Sequence, residues 1–216
     1  MSKVVLILGD TGRGKSVSID NLPAESTALI NVVGKELPFQ GASKKYQLRD
    51  VKAETGNVWV KNKHEDIVNI MKGIDSRDYL CHFDRIVIDD FQYIMSYEFM
   101  DRAKETGYSK FTEIAQHAFK IIDCAKTLKR DIFVYILAHT DTEVDKADNL
   151  TTRMKTVGRM LNNHITVEGL FSMVLFADST INPAWLSENV LLLIVELSDL
   201  IYAPYHSCLK NSEEPH

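Results

Sequence analysis

The chain has 216 residues, 45% hydrophobic and 25% charged, with only ten glycines and five prolines, which excludes collagen-like and low-complexity chains. Lys+Arg number 25 against Asp+Glu 30, a formal charge of −5, so bulk charge does not draw the protein onto nucleic acid and any such contact needs a local basic patch. The length buries a full core without staples, and the three cysteines, Cys81, Cys124 and Cys208, odd in number and without a CxxC, suggest neither a disulfide framework nor a zinc knuckle.

Reduced, mostly buried thiols in a cytoplasmic protein are the expectation. The amino-terminal apolar run is too short for a secretory signal, and the stretch Val190 to Val195 falls far below the ~20 residues that cross a bilayer. No membrane association is expected.

In chain order, Lys3 to Leu8 reads as a buried strand ending at Gly9. Lys15 to Leu22 can form a short helix, Thr27 to Val33 a second buried strand, and Gly34 to Asp50 a loop. Val58 to Val60 is a small strand. A helix starting at Asn62 or Lys63 runs to Met71, with Asn62 and Glu65 spaced as a capping box. Phe83 to Ile88 is a third strand, ending in Asp89-Asp90, and Phe91 to Lys104 is helical. Phe111 to Leu128 is the strongest helix, its apolar residues recurring at i, i+3, i+4 and i+7. Asp131 to Ala138 is a fourth buried strand, His139 to Val157 a polar loop, and Ile165 to Val167 with Leu170 to Ala177 suggest a hairpin. Buried strands alternating with helices predict an α/β fold, a mostly parallel sheet flanked by helices on both faces.

Gly9-Asp10-Thr11-Gly12-Arg13-Gly14-Lys15-Ser16, followed by Val17, fits the phosphate-loop pattern G-x-x-x-x-G-K-[ST] between a strand and a helical segment. The glycines let the backbone turn with its N–H groups inward around a phosphate. Lys15 supplies charge to the β- and γ-phosphates, and the Ser16 hydroxyl is suited to Mg²⁺. ATP with Mg²⁺ is the expected ligand. Asp89, delivered at the end of a buried strand, is the expected second metal residue. Asp90 is placed to polarise a water, although it is one methylene shorter than the Glu often used for this. His139 and Thr140 lie at the carboxyl end of another strand, where open α/β sheets bind ligands, so His139 is a candidate γ-phosphate contact.

The segments GDTGRGKS, VVGKELPF (Val32 to Phe39), Ile86 to Phe111, ILAHTD (Ile136 to Asp141) and Lys155 to Phe171 resemble a family of bacteriophage AAA/RecA-type P-loop ATP-binding proteins, found beside replication and recombination genes. The resemblance spans about residues 1–177. It implies a RecA-like ATPase core in which the strand ending at His139 lies between the phosphate-loop strand and the strand ending at Asp89. It also implies Glu36, after the second strand, as a rival to Asp90 for the base. Single-stranded DNA and further copies of the chain are the implied partners, with Lys155 or Arg159 reaching a neighbour's phosphates. A phage origin would place the protein in the bacterial cytoplasm. Residues 178–216 do not match the family and read as an atypical extension. A nucleotide-gated DNA-binding or annealing module with negligible turnover is the alternative function.

Two groups of cations suit nucleic acid: Lys146, Arg153, Lys155 and Arg159, and Lys44, Lys45, Arg49 and Lys52 around Tyr46. Nearby acids partly cancel the first group.

Overall fold

The computed structural model describes residues 2–144, 150–157 and 167–177. The expected extension at 178–216, with Cys208 and the apolar run Val190 to Val195, lies outside the described residues, as do Lys146 and Arg159.

Among the described residues, seven strands form one sheet. They are β1 (Lys3–Gly9), β2 (Thr27–Asn31), β3 (Val58–Val60), β4 (Arg85–Asp89), β5 (Phe133–Val144), β6 (Leu150–Met154) and β7 (Met173–Phe176). The order is β3-β2-β4-β5-β1-β7, parallel throughout, with β6 added antiparallel to β5. The strand carrying His139 therefore lies between the phosphate-loop strand and the strand carrying Asp89. This is the RecA-like arrangement of an α/β P-loop fold.

Side-chain parity along the strands sorts the core into two layers. Val4, Leu6, Leu8, Ile30, Ile86, Ile88, Val134 and Ile136 face one side. They are covered there by α2 (His64–Ser76), α3 (Gln92–Asp101) and α4 (Ser109–Thr127). The apolar stripe expected on α4 is the one buried: Ile114, Ala118, Ile121, Ile122, Ala125 and then Leu128. Each isoleucine of that stripe contributes about 1.5–3 kcal/mol by leaving water. The opposite parity, Val5, Ile7, Leu29, Val87, Tyr135 and Leu137, packs against Ile19, Leu22 and Tyr46. Short helices supply that cover: a 3₁₀ turn at Val17–Asn21 and the four-residue α1 (Ala42–Lys45).

Several expectations shift for local reasons. The helix after the phosphate loop is a single 3₁₀ turn, because Pro23 disfavours helical backbone at Leu22, which is extended (ψ 140°). The α2 N-cap is Lys63 and carries no side-chain cap bond, so the Asn62 capping box does not form. Much of the polar stretch after Ala138 is strand: β5 continues to Val144 and pairs with β6, while residues 145–149 lie outside the described residues. Val167–Leu170 is a 3₁₀ turn, and β7 pairs in parallel with β1 rather than in a hairpin. Cys124 is buried as expected, but Cys81 is exposed.

Candidate functional site

The site gathers at the carboxyl ends of β1, β5, β4 and β2. Register places Gly9 beside His139 and Asn31 beside Asp89. The loop leaving β1 turns through Gly12 (φ 79°) and Gly14 (φ 85°), conformations that glycine adopts without strain. A Cβ built at either meets nothing within 4 Å, so both glycines border open space. The cleft there measures about 510 Å³. It is lined by the loop from Thr11 to Val17, by Val33, Lys35, Glu36 and Pro38 after β2, and by Asp90, Tyr93 and His139. That volume lies in the range of small-ligand sites.

Lys15 is 5% exposed, and its Nζ donates to the carbonyls of Gly9 (2.6 Å) and Asp10 (3.0 Å). Gly9 and Asp10 thus position the lysine rather than line the cleft. Burial lowers the Lys15 pKa, and the charges of Asp90 and Asp89 oppose that fall. The Ser16 hydroxyl donates to Asp89 Oδ1 at 3.0 Å. The second oxygen, Oδ2, is buried and has no hydrogen-bond partner. Burial, reinforced by the neighbouring Asp90, pushes the Asp89 carboxyl up to about 6. A buried carboxylate with one satisfied oxygen and a hydroxyl at its side is a donor set that suits a hard cation. Ser16 and Asp89 can therefore hold Mg²⁺.

Asp90 sits in the left-handed region (φ 64°), which Asp tolerates better than most residues. It is 3% exposed and closely held. Lys35 Nζ lies 2.5 Å from its Oδ2, and His139 Nε2 lies 3.3 Å from its Oδ1. Gln92, at the start of α3, ties the group together: its amide Nε2 donates to Asp90 Oδ1 (3.5 Å) and its Oε1 accepts from the His139 backbone N–H (3.1 Å). The other imidazole nitrogen, Nδ1, lies 3.4 Å from the Thr11 hydroxyl. His139 thus bridges the phosphate loop and Asp90. Burial, aided by the charge of Lys15, lowers its pKa and keeps it neutral near pH 7. Thr140 donates to Asp10, a second link between β5 and the loop.

Of the two candidate bases, Asp90 is buried beside Lys35 and His139, while Glu36 is an exposed residue lining the same cleft. Lys155 is exposed, and its backbone N–H donates to the His139 carbonyl (2.8 Å), so it borders the site of its own chain. The Tyr46 cluster is not a stacking platform. Tyr46 is 6% exposed with its hydroxyl on the Ile19 carbonyl, Lys45 pairs with Asp20, and Arg49 lies over the Trp59 ring.

Lys35, Gln92 and Tyr93 belong to the site and escape the motif reading. Lys35 carried a usable signal, because it follows the carboxyl end of β2, beside β4. The rule that singled out His139 applies to it equally. Asn31 shapes that turn by accepting from the Gly34 N–H and donating to the Lys35 carbonyl.

No family model and no curated protein matches the sequence. Among solved structures, the fold is similar to that of a KaiC-like protein from the hyperthermophilic archaeon Pyrococcus horikoshii OT3. That likeness has a TM-score of 0.39 and 13% identity, over 72% of this chain and 80% of that one. Among the described residues no helix is long and apolar enough to cross a membrane.

Proposed function

We propose that the protein binds Mg-ATP in the cleft above β1 and hydrolyses it slowly, as an ATPase of the phage replication and recombination type. The observation that carries this reading is the Ser16–Asp89 contact beneath an open glycine-built loop, with Asp89 Oδ2 left without a partner. Loop N–H groups and Lys15 bind the β- and γ-phosphates. Mg²⁺, held by Ser16 and Asp89, supplies charge neutralisation to the phosphates. His139 and Lys35 face the position of the terminal phosphate from β5 and from the β2 loop. Asp90 orients the attacking water once Lys35 releases its Oδ2, and Glu36 is the alternative for that task. Catalysis by such a set is mainly positioning and electrostatic stabilisation.

A second reading is favoured by one observation. The Lys35–Asp90 contact closes the carboxylate that would act on water. A protein that stays in this state binds nucleotide as a switch, with negligible turnover, and serves as a loader or annealing partner. In either reading the resemblance to phage ATPases supports single-stranded DNA as the polymer partner, and copies of the chain as neighbours with Lys155 or Arg159 at the contact. Residues 1–177 would form the ATPase domain and 178–216 an appended segment.

The test is phosphate release measured with and without single-stranded DNA while assembly size is followed by light scattering. The ATPase reading expects turnover that DNA increases together with size. Turnover indistinguishable from buffer, with nucleotide still bound, supports the switch. Indifference of both rate and size to DNA removes the recombination assignment.

A further inference from the structure

On the helical face of the sheet, away from the nucleotide cleft, three side chains from three helices converge. His64 opens α2, Glu98 lies on the second half of α3, and His117 lies midway along α4. Each offers one donor atom within 4.8 Å of the other two, and all three are half-buried. The imidazoles stack with centroids 3.7 Å apart and planes 15° from parallel. His117 Nδ1 lies 2.8 Å and 3.0 Å from the two oxygens of Glu98. A cavity of about 210 Å³ opens beside them.

We infer that His64, Glu98 and His117 form a binding site for a zinc-type divalent cation that clamps α2, α3 and α4 together. Two imidazoles and one carboxylate are a donor set that Zn²⁺ favours, with metal–ligand distances near 2.0–2.2 Å. A tetrahedral ion with such bonds separates its ligands by about 3.4 Å, so His117 and Glu98, now 2.8–3.0 Å apart, part slightly to admit it while all three donors stay within their present 4.8 Å span. The rings must open from their near-parallel stack for their in-plane lone pairs to converge. The broad terminal torsion of histidine permits that rotation. Arg102 Nη1 donates to Glu98 Oε1 at 3.2 Å, and Oε2, whose contact is His117 Nδ1 at 3.0 Å, is the oxygen that an ion seated between the carboxylate and that imidazole takes.

The electrostatic setting also accepts a cation. The cavity is lined by Glu65, Glu98 and Asp101 against Lys63 and Arg102. The Arg102 charge is further spent on Glu105 and Glu113, both within 3.0 Å. An ion here would bear on the nucleotide site through α3, because Gln92 lies six residues, about 9 Å, along the helix from Glu98. No step of the proposed hydrolysis uses these residues.

The test uses the full chain, free of any histidine tag, titrated with Zn²⁺ against a chromogenic chelator. One equivalent should bind saturably, and X-ray absorption should show two imidazole nitrogens with oxygen donors. His64→Asn and His117→Gln should each weaken binding by at least about tenfold, with the helical circular-dichroism signal retained. Zn²⁺ should raise Tm in the parent chain and not in these two variants. His82→Asn, which lies outside the cluster, should bind as the parent does. Absence of saturable binding, or binding that both His64→Asn and His117→Gln leave unchanged, overturns the site.

Discussion

Lys35 Nζ lies 2.5 Å from Asp90 Oδ2 and closes the carboxylate that follows Asp89 and lines the cleft. Lys35 is itself partly exposed, so it can leave without disrupting the core. The lysine pKa is raised: burial works against the charge, but the bond to Asp90 and the charge of Asp89 outweigh it. On the proposed binding of ATP, this cation on the cleft wall transfers from carboxylate to phosphate when nucleotide enters.

Lys35→Ala should therefore reduce kcat by about tenfold to a hundredfold through lost charge stabilisation. ATP affinity should change by no more than a few-fold. Steady-state phosphate release together with equilibrium nucleotide titration checks the split. An unchanged kcat would remove Lys35 from the reaction.

Asp89 makes stability depend on pH in a direction opposite to that of most carboxylates. Burial, with Asp90 beside it, pushes its carboxyl from 3.8 up to about 6 in the folded protein. The folded chain then holds the proton more tightly than the unfolded chain. Metal-free stability falls as pH rises from about 4 to about 6 and stays reduced above that window. Asp89→Asn should be more stable than the parent at pH 7.5, by on the order of 1–3 kcal/mol, with the difference gone near pH 4. Urea denaturation at a series of pH values in chelator measures it.

Gly14→Ala separates strain from collision. A Cβ there meets nothing within 4 Å, but φ is 85°. The expected loss is about 1–2 kcal/mol from left-handed backbone, with a larger loss in nucleotide affinity as the loop N–H groups turn out of line. Thermal unfolding and nucleotide titration on the same preparation give both quantities.

His139 touches Thr11 through one ring nitrogen and Asp90 through the other. His139→Ala should leave ADP affinity within about twofold and lower kcat by about tenfold or more, because in the proposed binding mode it faces the terminal phosphate and the water. Because burial and Lys15 lower its pKa, the imidazole NMR titration should fall below the ordinary value near 6.5. A titration above that value would contradict the described environment.

The phosphate loop was legible because its chemistry is local. Three glycines, a lysine and a serine at fixed spacing need no distant partner to be recognised, and the apolar runs around them gave the strands β1, β2 and β4 to within about two residues and the start of β5. The extension of β5 was obscured by polarity. Yet Thr140, Thr142 and Val144 alternate with Asp141 and Glu143 at the period of a strand, in β-favouring residues. The run reads as a loop only because buried strands set the expectation. Gln92 stayed hidden for a different reason: it bridges Asp90 after β4 to His139 on β5, and the pairing of those strands is a long-range fact. Lys35 could be placed after the carboxyl end of β2, but its partner Asp90 follows only from the equally long-range pairing of β2 with β4. The cluster of His64, Glu98 and His117 was invisible for the same cause: its members are up to 53 positions apart and meet only when three helices pack on one face.

The most direct test is equilibrium binding of a fluorescent ATP analogue to the parent chain, Lys15→Ala and Asp89→Asn, each with and without Mg²⁺. Tight binding should require Mg²⁺ in the parent, disappear in Lys15→Ala, and lose its Mg²⁺ dependence in Asp89→Asn. Equal, Mg²⁺-dependent binding by all three proteins would show that the nucleotide does not sit between Lys15 and Asp89.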